Sequence, residues 1–106
     1  MNKYYAQGDV LLFKASIPKT AILDKDFNGI VQHGESGHKH ALKPLSKKDY
    51  EMYYDPNSAT RYLRLLKEIP LEHEEHKKIM LPPGEYEIRI VKEYDHFQDL
   101  QRSVID

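Results

Sequence analysis

The stretch LPPGEYEIRIVKEY, residues 81–94, opens on a Pro-Pro-Gly turn and then alternates, with Tyr86, Ile88 and Ile90 set against Glu85, Glu87 and Arg89. Successive side chains of a strand point to opposite faces, so this spacing predicts one buried face and one wet face. A parallel strand covered on both sides would read as a continuous apolar run instead. The segment therefore predicts a half-buried antiparallel strand, and a β fold around it.

Working upstream, the same period recurs. RYLRLLKEI, residues 61–69, fits two templates: Leu63, Leu66 and Ile69 would line a helix, whereas Leu63, Leu65, Lys67 and Ile69 would line one face of a strand. The strand is preferred because the neighbouring segments are strands, and Pro70 would stop or bend either. YEMYY, residues 50–54, is aromatic and ends at the turn cluster DPNSAT. HKHAL (38–42), GIVQH (29–33, after the turn-like DKDFNG) and GDVLLFKAS (8–16) read as further strands. The tail QDLQRSVID adds a candidate terminal strand at Ser103–Ile105. About seven short strands separated by frequent turns predict an all-β fold, a small antiparallel β-barrel or sandwich, with at most a short helix within residues 46–69. Residues 1–106 are expected to form a single domain.

Composition narrows the function. Sixteen Lys and Arg against seventeen Asp and Glu give a net charge of −1, so no general basic field recommends nucleic acid or an anionic membrane. Lys43, Lys47 and Lys48 read as solvated loop. No apolar run approaches the ~18 residues of a spanning helix, and MNKYYAQGDV has no signal-peptide core. The expected compartment is the cytoplasm. Cysteine is absent, which removes disulfides, thiolate zinc sites and a cysteine nucleophile at once. Any metal ligands must be imidazole and carboxylate, a donor set that suits zinc, iron, manganese or nickel. No Gly-rich phosphate loop, nucleophile elbow or dinucleotide fingerprint is present.

Four of the six histidines fall in two stretches, GESGHKHAL (34–42) and LEHEEHKKIMLPPG (71–84). On a strand His38 and His40 share a face, as a chelating His-x-His pair requires, and Gly34 and Gly37 allow close backbone approach. Glu35 stands three residues before His38. In the second stretch a strict strand sends His73 and Glu75 to one face and His76 to the other; a helical turn would align His73 with His76. A strand that turns after Glu75 would also bring His76 round. The expected metal ligands are His38, His40, His73 and His76, with Glu35 and Glu75 as candidate carboxylates for proton transfer. Each stretch alone reads as polar surface; the pair together favours one site on a rigid β scaffold. His33 and His96 read as ordinary polar positions, Asp9 as a strand-opening residue more than a site carboxylate, and most of the eight tyrosines as core filler, with Tyr94 a candidate pocket residue.

These residues carry a resemblance. QGDVLL, GESGHKH, a tyrosine-rich strand, LEHEEHKKIMLPPGEYEI and KEYD together resemble a family of small uncharacterised bacterial and phage proteins. Its outline is Gln-Gly-Asp-Val, Gly-Glu-x-x-Gly-His-x-His, His-x-Glu-His and Pro-x-Gly-x-Tyr, and it spans nearly the whole chain. More distantly, His-x-His followed by a later His before a Pro-x-Gly turn is similar to the cupins, small β-barrels with a metal in the mouth. The chain differs from that pattern after His40, where ALKPLS stands in place of the usual glutamate. The resemblance implies a site built from Glu35, His38, His40, His73, Glu75 and His76, and no established activity.

The resulting expectation is a metal-dependent enzyme, hydrolase-type in preference to an oxygenase, acting on a small anionic metabolite or nucleotide. The alternative is a non-catalytic module that captures a small ligand or a protein partner, as in a phage–host contest. A homodimer is plausible for a small sheet with exposed edges.

Overall fold

The computed structural model describes residues 4–33, 39–43 and 47–91. Among the described residues ten strands run in chain order: β1 Tyr4–Gln7, β2 Val10–Lys14, β3 Ile22–Leu23, β4 Ile30–His33, β5 Lys39–Leu42, β6 Tyr50–Asp55, β7 Thr60–Leu65, β8 Ile69–Glu72, β9 Ile79–Leu81 and β10 Gly84–Ile90. A single 3₁₀ turn among the described residues, Lys47–Asp49, precedes β6, within the span expected to hold at most a short helix. Among the described residues no helix is long and apolar enough to cross a membrane.

Every pairing is antiparallel, and the strands form two sheets. One has the order β1-β2-β10-β7-β6-β3 and the other β4-β5-β8-β9. The all-β, antiparallel expectation is met. The barrel alternative is not: each sheet keeps two edge strands among the described residues, so the fold is an open two-sheet arrangement and no closed barrel.

The deciding strand behaves as its alternation requires. In β10, Tyr86 and Ile88 are buried while Arg89 is exposed. Ile88 lies opposite Leu12 of β2, and Tyr86 opposite Leu63 of β7. Both sheets feed one core: Val10, Leu12, Met52, Leu63, Leu65, Tyr86 and Ile88 from the larger, Val31, Leu42, Ile69, Leu71 and Leu81 from the smaller. Full burial of such side chains stabilises by about 1.5–3 kcal/mol each before chain entropy is set against it. The Tyr86 hydroxyl donates to the Pro82 carbonyl at 2.6 Å, and burial pushes its pKa up to about 12.

The run at 61–69 resolves as strand, but not as one strand. β7 ends at Leu65, the chain bends at Leu66–Lys67, and β8 starts at Ile69. Lys67 therefore shares no face with Leu63, and Leu66 is exposed. Pro70 sits inside β8, where its carbonyl accepts from Lys43 N at 3.0 Å; the break falls earlier, at the bend. On the outer face of the larger sheet, Arg64 bridges Glu85 (2.9 Å) and Glu51 (3.1 Å) across β7, β10 and β6. Between the sheets, Arg61 Nη1 donates to Val31 O at 2.8 Å, tying β7 to β4. Tyr94, His96 and the candidate strand Ser103–Ile105 lie outside the described residues.

Candidate functional site

Three segments far apart in sequence meet at one end of the fold. The first is the turn between β1 and β2, where Gln7 pairs with Val10 and Gly8-Asp9 forms a two-residue hairpin. Gly8 has φ +58°, which fits a hairpin with glycine at its first central position. The second is β5, whose apolar residues Ala41 and Leu42 anchor it in the smaller sheet and carry His40 inward. The third is the loop after β8, which leaves the strand at Glu72 and bends through Glu74–His76.

That bend decides among the readings left open for the second histidine stretch in favour of a strand that turns. His73 Nδ1 accepts the backbone N–H groups of Glu75 (3.0 Å) and His76 (3.3 Å), so its ring acts as the acceptor that closes the turn. His73 and His76 end on one side, with ring centroids 4.5 Å apart. Their rings lie 4.3 Å and 6.0 Å from that of His40. Residues 33 and 36 positions apart in the chain thus form one imidazole cluster. His40 is 1% exposed, while His76 is exposed.

Around His40 the contacts are specific. Its Nδ1 lies 2.8 Å from Gln7 Oε1 and its Nε2 lies 3.1 Å from Asp9 Oδ1. Gln7, 3% exposed, also donates from Nε2 to Leu71 O (2.8 Å) and Lys77 O (3.0 Å), on both sides of the bend. A Cβ on Gly8 would meet His76 Nε2 at 2.6 Å and His40 Cε1 at 3.3 Å, so a side chain here would displace the exposed His76 ring in addition to straining φ. Burial lowers the pKa of His40 below its ordinary 6.5, the neighbouring His73 imidazole lowers it further, and Asp9 opposes both. The neutral, ligand-competent form of the ring is favoured.

Beside the cluster is a cavity of about 220 Å³ lined by Lys39, Ala41, Lys43, Glu72, His73 and Glu74. It is smaller than the roughly 300–1,000 Å³ typical of drug-sized ligands, so it admits only a small one. Glu74 accepts from Lys39 N at 3.0 Å, which closes one wall.

Of the expected ligands, His40, His73 and His76 are brought together. His38 and Glu35 lie outside the described residues, as does the side chain of His33. Glu75 is exposed on the bend, where its backbone N–H donates to the His73 ring. Among the described residues, no group of three or more His, Asp or Glu side chains is arranged to hold a metal ion as it stands. Sequence reasoning quoted Gln7 within the Gln-Gly-Asp-Val outline but gave it no role, and ranked Asp9 as a strand opener. The signal was present in Gln-Gly-Asp: a polar pair flanking a glycine at a strand end is a hairpin turn, and it is tertiary packing that puts that turn on the histidines.

No curated protein and no solved structure matches this chain. Residues 6–91, from the strand that ends in Gln7 to the end of β10, match the family described as a domain of unknown function (DUF8820), and the chain belongs to that family.

Proposed function

We propose that this protein binds a divalent transition metal through its histidine cluster and uses it in hydrolysis of a small anionic metabolite or nucleotide. The observation that supports the reading is the convergence of His40, His73 and His76, with ring centroids 4.3–6.0 Å apart. Three imidazoles at about 2.0–2.1 Å from one tetrahedral ion would have centroids about 5 Å apart, a value the observed separations bracket, so binding an ion would require the side chains to shift as well as turn. His38 belongs to the proposed ligand set on its His-x-His spacing, and Glu35 and Glu75 remain the proposed proton carriers on theirs.

The ion, zinc, iron, manganese or nickel, would supply a water acidified to near neutral pH. The chain's own residues orient and select. Lys39 and Lys43 line the cavity against His73, together with Glu72 and Glu74, and in this reading the two lysines would take the small anion. In this reading the end of the two-sheet fold plays the part that the barrel mouth plays in a cupin.

Elemental analysis of protein purified without a histidine tag tests the metal; one ion per chain, lost in His40→Ala, is expected. Substoichiometric metal together with no calorimetric zinc or manganese binding overturns the proposal. The second reading, capture of a small ligand without turnover, draws on the same cavity, lined by two lysines and two glutamates. A metal-supplemented screen of phosphate esters and nucleotides separates the two by turnover.

A further inference from the structure

Gln7 settles a question of chemistry at His40. Its amide Nε2 lies within hydrogen-bond distance of two backbone carbonyls, Leu71 O at 2.8 Å and Lys77 O at 3.0 Å. Carbonyl oxygens only accept, so the NH₂ group must face them and Oε1 must face His40. A flipped amide would set an oxygen against two oxygens. Because Oε1 is an acceptor 2.8 Å from His40 Nδ1, that nitrogen carries the hydrogen. The other nitrogen, Nε2, then holds the lone pair of the neutral ring, and it points at Asp9 Oδ1 from 3.1 Å.

A lone pair and a carboxylate oxygen at that distance need a positive centre between them: a proton, which makes the contact an imidazolium–carboxylate ion pair, or a metal ion that takes the proton's place. Two donors of one ion at about 2.1 Å each, subtending about 95°, are themselves about 3.1 Å apart. The observed separation lies within the span of about 3.0–3.4 Å that donor angles of about 90–109° give, and it is equally the length of the hydrogen bond that a proton on Nε2 would make. Asp9 is also 41% exposed, so its carboxylate is open to an entering cation, while His40 is held rigidly behind it at 1%.

We infer that Gln7 locks His40 in the Nδ1–H tautomer so that His40 Nε2 and the Asp9 carboxylate form the paired donors of a divalent-cation seat. The inference rests on the metal reading proposed above and assigns its oxygen ligand to Asp9 rather than to a glutamate. Gln7 is a positioning residue, acting through His40. The third donor would come from His76, which is exposed and lies against Gly8 beside His40. The resulting set is mixed imidazole and carboxylate, suited to zinc, manganese or ferrous iron.

Nitrogen NMR of the metal-free full-length chain, labelled with ¹⁵N-histidine, reads the tautomer directly. His40 is expected as Nδ1–H in the wild type and as a tautomer mixture in Gln7→Leu. Calorimetry with Zn²⁺ and Mn²⁺ is then expected to show at least tenfold weaker binding for Asp9→Asn and about 10–100-fold weaker binding for Gln7→Leu, the range of outer-shell losses. Glu87→Gln removes a carboxylate that pairs with Arg89 on the outer face of the larger sheet, and should bind as the wild type does. The histidine spectrum shows whether each variant remains folded. If the wild type binds no metal, the metal reading fails and the cation seat with it, while the tautomer measurement still judges Gln7. If the wild type binds but Asp9→Asn binds equally, or if His40 is Nε2–H or protonated on both nitrogens, this inference alone is overturned.

Discussion

Replacing Gln7 by Leu keeps the volume and removes three hydrogen bonds at once. The lost partners are Leu71 O, Lys77 O and His40 Nδ1, at 2.8, 3.0 and 2.8 Å. They are not equivalent. The bonds to Leu71 O and His40 are buried, so no water replaces the amide there; that to Lys77 O is only part-buried, and solvent can reach it. Each buried group left unsatisfied costs about 1–3 kcal/mol, and the leucine recovers a fraction through its apolar surface. A net loss of about 3 kcal/mol is expected, which for a domain of this size lowers the melting temperature by roughly 12–24 °C. Urea unfolding followed by circular dichroism measures it, with the slope compared to the wild type. Gln7→Glu makes a useful partner: it keeps an acceptor for His40 but turns an oxygen toward two carbonyls. It should be at least as damaging at neutral pH and should recover in part as the pH falls and the new carboxyl gains a proton to donate. A loss below about 1 kcal/mol for Gln7→Leu would show that the amide does not hold the three segments together, and the tautomer argument would lose its foundation.

Gly8→Ala should destabilise by about 1–2 kcal/mol through its φ of +58° and, by driving a Cβ to within 2.6 Å of His76 Nε2, displace that ring; thermal melts and the histidine NMR spectrum report the two effects separately. Ala59 adopts φ +52° in the turn after β6, so Ala59→Gly should stabilise by about 0.5 kcal/mol, the relief of strain less the added freedom of the unfolded chain; a lower urea midpoint would contradict this. The Ile17 N–H and the Arg64 guanidinium hold the Glu85 carboxyl below its ordinary 4.5. Since that folded-state pKa is depressed, its contribution is present above the unfolded pKa and lost as pH falls through the folded one, so Glu85→Gln should be less stable than wild type near neutrality and converge with it in acid, as paired urea titrations across the acid range would show.

What a single sequence could determine here was whatever repeats along the chain. Alternation at Tyr86, Ile88 and Ile90 is set by strand geometry itself, so it marked β10 and its buried face without knowledge of any partner. Turn residues in DPNSAT and the absence of cysteine were equally local, and they bounded the strands and the donor chemistry. Tertiary structure decided the rest. Closure into a barrel or opening into two sheets depends on which strands become edges, and β1, β3, β4 and β9 became edges through long-range pairing that no local pattern encodes. Lys67 fell out of the expected strand face because the chain bends at Leu66–Lys67 to pass from one sheet to the other. The histidines were legible as two clusters because composition is visible in a string; their meeting depended on the turn at Glu74–His76, held by His73's own ring. The role of Gln7 was invisible for the opposite reason. A lone glutamine carries no period and no cluster, and only folding, by burying it between Leu71 O, Lys77 O and His40, gives its amide a fixed direction and hence a chemical consequence.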